Sequence, residues 1–255
     1  LSGLPPLAHQ LLHNADILDP AVTTVAERLR DQGFATAAFA DNFYIDARYG
    51  FDQGFETFVN EFRASRVSTW NAHHLLRTTV VYHLWYRLSR QPGQKNMDSL
   101  EGAIQWLRNR PAGTFFVLLH LMDPHAPYDA PPEIRDRFYT PDGPRVRDTV
   151  ELRARLEEAS PEEIAALVDL YDASVALADH KLGILLDELE ALDVLDRSLV
   201  VVTADHGEVL DEDGPVVDHG LPHQGNLHVP LVLGGGIAGP GRSDQPVAMT
   251  SWVAR

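Results

Sequence analysis

The chain has 255 residues, 44% of them hydrophobic, which is enough for one large domain with a sizeable core. Its formal net charge of -16 argues against a nucleic-acid partner and leaves no basic patch for anionic lipid. The absence of cysteine excludes disulfides and thiolate metal sites. Because the sequence contains no run of about 18 apolar residues, we expect no membrane span in this segment.

The chain begins with signals for a helix followed by a strand. Thr24 and Glu27 have the spacing of a capping box, which predicts the start of a helix, and Gly33 predicts its end. "ATAAFA" (Ala35–Ala40) is short and apolar, as expected for a buried strand.

The middle of the chain is less regular and then returns to the same alternation. Aromatic and arginine residues are mixed at about 60–95, which favours a packed helical insert over a partner or lipid surface. A helix is expected from Met97 to about Asn109, closed by Pro111. "FFVLLH" (Phe115–His120) is apolar on both faces, which is typical of a central parallel strand.

The second half opens with a strong helix signal. Ser160 is a candidate cap and Glu163 its capping-box partner, and apolar residues continue at helical spacing to Leu189. "SLVVVTA" and "HVPLVLGG" predict two further strands, buried on both faces. The alternation predicts an α/β fold with a mixed, mostly parallel sheet sandwiched by helices. We expect a single domain over residues 1–255.

Polar side chains follow three of these strands, and functional groups of open α/β sheets gather at the carboxyl ends of strands. Asp205 and His206 come directly after "LVVVTA", and His125 follows "FFVLLHLMDP". The loop before "HVPLVL" holds His219 and His223. These residues are the candidates for a site.

Two interpretations of Asp205 and His206 stay open from the residues alone. A carboxylate and an imidazole at a turn can bind one divalent cation, and Gly207 lets the backbone bend tightly there. Alternatively, Asp205 is a helix N-cap and His206 is hydrogen-bonded. The "DHG" triplet by itself favours this second interpretation.

His125 also has two interpretations. Pro124 and Pro127 stiffen its loop, so a fixed imidazole could donate to an anionic ester oxygen or protonate a leaving group. It could equally be a turn residue that caps a backbone carbonyl. His219 and His223, each taken alone, are typical of solvated loop residues.

Together, these segments resemble the sulfatases of the alkaline phosphatase superfamily. "SLVVVTADHGE", then "DHG" and "HVPLVL", is similar to the family's "TSDHGE" strand end and later "VPL" strand. "FFVLLHLMDPHAPY" is similar to "FFLYLHLMDPHxPY". "TTVAERLRDQGFATAAF" and "GFDQGFE" are similar to "TLAExLxxxGYxTAAF" and "GFDxGFD". The resemblance covers nearly the whole chain.

The resemblance implies a sulfatase-like fold and, in the complete protein, metal-dependent hydrolysis of a small-molecule or carbohydrate sulfate ester. It implies that Asp205 and His206 are metal ligands, that His125 contacts the anionic group of the ester, and that His223 lies beside the substrate. The implied cofactor is a divalent ion. Ca²⁺ is expected if the rest of the protein supplies two more carboxylates, with Mn²⁺ or Zn²⁺ as alternatives if it supplies fewer.

The chain also departs from the family pattern. The family's nucleophile and first metal-binding aspartate pair lie upstream of the segment that "LSGLPP" resembles, so we expect an internal fragment, incomplete at both ends and inactive alone. "ADNFYID" replaces the Lys-x-His element of many sulfatases. Two alternatives therefore remain: hydrolysis or transfer of phosphate or phosphonate esters, and a non-catalytic metal-binding scaffold.

Overall fold

The computed structural model describes residues 2–13, 16–42, 44–60, 97–139, 152, 158–210, 217–218, 223–239 and 241. They form two compact units, the first ending at Met122 and the second beginning at Asp123. The helical insert predicted at about 60–95 lies outside the described residues, except for its first residue, Asn60. The single-domain organisation stays a prediction.

The first unit is a three-stranded parallel sheet with helices packed against it. Its elements in chain order are α1 (Pro6–His9), α2 (Val25–Asp31), β1 (Ala35–Ala40), a 3-10 turn (Ala47–Tyr49), β2 (Thr57–Asn60), α3 (Met97–Asn109) and β3 (Phe115–Leu119). The strand order is β2-β1-β3, and both pairings are parallel. The buried side chains of Ala37, Phe39 and Ala103 join the sheet to α3. The predicted strand at 35–40 and the helix at 97–109 are confirmed.

The predicted capping box at the start of α2 is also confirmed. Thr24 Oγ1 accepts a hydrogen bond from the Glu27 amide, and the Glu27 carboxylate accepts one from the Thr24 amide. Burial alone would raise the pKa of Glu27, but hydrogen bonds from Thr24 and Gln53 hold it below the usual value. Gly33, with φ +87°, lies just beyond the helix end, as predicted.

The second unit contains the longest described helix and short antiparallel ribbons. Its elements are α4 (Pro132–Arg135), α5 (Pro161–Ala191), a 3-10 turn (Leu195–Arg197), β4 (Val200–Thr203), β5 (Val209–Leu210), β6 (Val217–Asp218), α6 (Gln224–Leu227) and β7 (Leu231–Gly234). β4 pairs with β7, and β5 pairs with β6. With the parallel strands of the first unit, this confirms the mixed α/β class.

Helix α5 begins as the sequence predicts. The Ser160 side chain accepts from the Glu163 amide, and the Glu163 carboxylate accepts from the Ser160 amide. One face of the helix carries Leu167 and Leu170 into a buried cluster with Tyr128 and Leu152. This cluster, which we call the α5 core, is the main apolar support for the loops described below.

The burial of β4 and β7 was predicted wrongly. The sequence indicated strands covered on both faces, but Val201 is 44% exposed and Val232 is 55% exposed. The reason is that, among the described elements, no helix packs extensively on either strand, so their faces are left open to solvent. No helix in the described ranges has the length and apolar character needed to cross a bilayer.

Candidate active site

The turn after β4 holds Asp205 and His206 in defined orientations. The His206 amide donates to Asp205 Oδ1 at 3.1 Å, and His206 Nδ1 lies 2.8 Å from the carbonyl oxygen of Gly207. Because a carbonyl oxygen can only accept, Nδ1 carries a proton, and Nε2 is the ring nitrogen that can bind a metal ion once it is deprotonated. This is the usual arrangement of a metal-binding histidine, whose other nitrogen donates to a fixed acceptor.

The interpretation of Asp205 as a helix cap is wrong. The described residues that follow it lead into the strand β5 (Val209–Leu210), so there is no helix start for the carboxylate to cap. Its hydrogen bond to the His206 amide is instead part of a turn between two strands.

The donor atoms of this turn fit a divalent cation. Asp205 Oδ2 and His206 Nε2 are 3.9 Å apart, which is too long for a hydrogen bond. Bonds from oxygen and nitrogen to such ions are about 2.0–2.6 Å long, so a single ion fits between the two atoms. The Asp205 side chain is 77% exposed and that of His206 38% exposed, so both can be reached from solvent.

Gly207 brings this turn against the segment that contains His223. Its amide donates to the Asn226 carbonyl at 2.8 Å, and a Cβ at this position would lie 2.0 Å from the carbonyl oxygen of Gly225. His223 is the residue before α6, and its carbonyl oxygen accepts from the Asn226 amide at 3.0 Å. The structure therefore joins the His206 turn and the His223 segment through backbone hydrogen bonds.

We expect Gly207→Ala to destabilise the complete protein by about 3 kcal/mol, the upper end of the range for overpacking, because the clash is with backbone. The matched control is Gly183→Ala on α5, where a Cβ would meet nothing within 4 Å. That change should stabilise the protein by about 0.5–1 kcal/mol, because alanine favours a helix. Urea unfolding measures both, and unchanged stability of Gly207→Ala would contradict the close approach.

His125 makes the same type of hydrogen bond as His206, from Nδ1 to the carbonyl of the next residue. Its Nδ1 lies 2.6 Å from the Ala126 carbonyl oxygen, so Nδ1 carries a proton and donates it to this carbonyl. The ring is half-buried, in a turn between the predicted stiffening residues Pro124 and Pro127. The contact to the Ala126 carbonyl agrees with the interpretation of His125 as a turn residue. It does not exclude a contact from Nε2 to the ester.

The loops of His125 and of Asp205–His206 pack on the same apolar support. After His125, Ala126 packs against the α5 core and Tyr128 is part of it. Leu210, which follows the His206 turn, packs against the same cluster. Of the sequence candidates, His219 lies outside the described residues. Within the described ranges, no group of three or more carboxylates and imidazoles is arranged to hold a metal ion.

The sequence interpretation missed one pair of residues beside this site. Lys181 Nζ lies 2.6 Å from Asp123 Oδ1, and the two side chains are 3% and 1% exposed. A signal was present: Lys181 is one of only two lysines in the chain and stands among the apolar positions of α5. Asp123 lies two residues before His125, and its partner is 58 residues away in sequence.

Comparison with known proteins gives the same family as the motifs. The family model described as Sulfatase matches residues 1–251. An ulvan-active sulfatase of Formosa agariphila is 27% identical over 96 residues, which are 38% of this chain and 18% of that protein.

Solved structures share the fold at low sequence identity. A phosphonate monoester hydrolase of Agrobacterium radiobacter is 18% identical, with a TM-score of 0.63 over 91% of this chain and 56% of the other. A protein solved with its substrate D-glucosamine-2-N,6-O-disulfate is 16% identical, with a TM-score of 0.62 over 93% of this chain and 60% of the other.

The chain spans less than two thirds of the length of each of these relatives. The family model, in contrast, matches nearly every residue of the chain itself. This protein belongs to the sulfatase family.

Proposed function

We propose that the complete protein is a metal-dependent hydrolase of sulfuric esters, in which this chain supplies two metal ligands and a histidine that contacts the ester. The observation that carries the proposal is the hydrogen-bond pattern that His125 and His206 share. Each imidazole donates Nδ1–H to a backbone carbonyl, so each presents Nε2 to a ligand.

Asp205 and His206 are the proposed ligands of the divalent ion that this family depends on. When bound, the ion supplies positive charge that activates the nucleophile and neutralises the oxygens of the ester. Its remaining ligands come from outside the described residues. We propose Ca²⁺ if two of them are carboxylates and Mn²⁺ or Zn²⁺ otherwise, because imidazole favours the softer ions.

His125 is the proposed contact to the anionic group of the ester. With its Nδ1–H bonded to the Ala126 carbonyl, the protonated imidazole donates its Nε2–H to a charged oxygen or passes that proton to the departing group. Either action lowers the energy of a transition state in which negative charge grows. His223 is proposed to lie beside the substrate. Its segment is held to the His206 turn through Gly207 and Asn226, which supports this assignment.

The relatives support a proposal for the substrate class. The ulvan-active sulfatase and the protein bound to a disulfated glucosamine support a carbohydrate sulfate ester. The phosphonate monoester hydrolase favours a second candidate, the hydrolysis of phosphonate or phosphate esters at the same site. The third alternative, a metal-binding scaffold, predicts no turnover.

A comparison of esters with one common leaving group separates these three functions. The complete protein should hydrolyse 4-nitrophenyl sulfate with a higher kcat/KM than 4-nitrophenyl phosphate or phenylphosphonate. A chelator should abolish the activity and added Ca²⁺, Mn²⁺ or Zn²⁺ should restore it. Preference for the phosphonate would replace the proposal by the second candidate. If the protein hydrolyses neither sulfated sugars nor any of these esters with any of the three metal ions, the metal-binding scaffold is the remaining function.

A further inference from the structure

Resting on the proposed role of His125, we propose that Lys181 is a positioning residue, which acts through Asp123 to fix the loop that carries this imidazole. The loop is Asp123–Tyr128, and both its ends are held by helix α5. At the first end, Lys181 Nζ binds Asp123 Oδ1 at 2.6 Å, with both side chains almost fully buried. His125 follows two residues later.

The other end of the loop is held by an aromatic contact. Tyr128 is 4% exposed, and its ring meets the edge of Tyr171 with 5.4 Å between centroids and an interplanar angle of 80°. Tyr171 and Lys181 belong to the same helix. Between the two ends, Ala126 packs against the α5 core, and its carbonyl oxygen accepts from His125 Nδ1. The imidazole is therefore oriented by a loop that one rigid element holds at both ends.

Stability alone does not account for a charged pair at this position. Taking two charges out of water can cost more than their attraction returns, and apolar replacements of similar volume are often as stable or more so. The neighbouring contacts of the same loop and helix, at Ala126, Tyr128 and Tyr171, are apolar or aromatic. A short hydrogen-bonded ion pair fixes the relative position of its two side chains, because its strength depends on geometry. Apolar packing at the same place would not supply this constraint.

The test uses pairs of substitutions in the complete protein, because a single change strands a buried charge and lowers stability. The apolar pair Asp123→Leu with Lys181→Met removes the directional link. The polar pair Asp123→Gln with Lys181→Gln, in which the longer side chain at position 123 compensates for the shorter one at position 181, keeps a hydrogen bond in its place. Leu189→Ala, a buried residue further along α5, controls for a general loss of stability. Each variant is measured by thermal unfolding, ester turnover and ring ¹⁵N chemical shifts.

We expect the apolar pair to fold and to lose about 10- to 100-fold in kcat with KM little changed, because a small displacement of a reacting group costs that much. The ¹⁵N signals of His125, assigned by their loss in His125→Ala, should shift, with Nδ1 no longer showing the hydrogen-bonded N–H of the wild type. The polar pair should recover most of the kcat. Leu189→Ala should lower the unfolding temperature and leave both kcat and the His125 signals unchanged.

Unchanged kcat and unchanged His125 signals in the apolar pair would overturn the proposal. If neither pair folds, the single variant Lys181→Gln, which replaces the ammonium by an amide, is used instead. Unchanged His125 ¹⁵N signals in that variant would likewise overturn the proposal. Wild-type protein that hydrolyses no ester would refute the proposed function but not the positioning role. The His125 signals test that role in every variant, whatever the substrate.

Discussion

Replacing Asp205 by alanine in the complete protein should weaken metal binding by more than about 100-fold. Loss of groups that only orient a metal ligand already costs 10- to 100-fold, and Asp205 is proposed to contact the ion itself. Its carboxylate also supplies one of the charges that attract a cation. Isothermal titration calorimetry with Ca²⁺ and with Mn²⁺ measures the effect directly.

The matched control for this measurement is Asp187→Ala. Asp187 is an exposed carboxylate on α5, so its removal changes the net charge equally and leaves the turn after β4 unaltered. Equal metal affinity of wild type and Asp205→Ala would remove Asp205 from the site. The segment "TADHGE" would then be an ordinary strand end.

Replacing His125 by alanine should lower kcat for the preferred ester by about 10²- to 10⁴-fold, the usual contribution of a positioned acid–base group. Stability should change little, because the ring is only half-buried. Steady-state kinetics measures the loss, with circular dichroism as the check on folding.

His180→Ala is the control for His125, since His180 is an exposed imidazole on α5. It should retain wild-type kcat and KM. A His125→Ala protein with wild-type turnover would contradict the assigned role and would leave His125 as a turn residue that contacts a carbonyl.

The helices and their ends could be predicted from the sequence because local chemistry determines them. Thr24 and Ser160 each stand three residues before a glutamate, and that spacing was enough to predict both capping boxes. The strand at 35–40 was short, apolar and followed a glycine stop, and the structure buries it as expected.

Features that depend on distant residues could not be predicted in the same way. Exposure of Val201 and Val232 depends on which elements cover the faces of their strands, and the apolar pattern of a strand does not contain that information. The Asp123–Lys181 pair joins residues 58 positions apart, so only the fold reveals it.

The candidate site lies between these two cases. Asp205, His206 and His125 could be selected as residues that follow apolar strands. The orientation of the two imidazoles depends on carbonyl oxygens of adjacent residues, which no side-chain pattern encodes. The approach of Gly207 to Gly225 likewise depends on backbone geometry, although a glycine after the histidine was a correct sign of a tight turn.

The central claim is that Asp205 and His206 bind the divalent ion of a site that His125 shares. A crystal structure of the complete protein grown with Mn²⁺, with anomalous diffraction at the manganese edge, tests it most directly. We predict an anomalous peak about 2.0–2.6 Å from Asp205 Oδ2 and His206 Nε2, with His125 Nε2 facing the same cleft. A peak that contacts neither residue, or His125 Nε2 facing away from the bound ion, would contradict the claim.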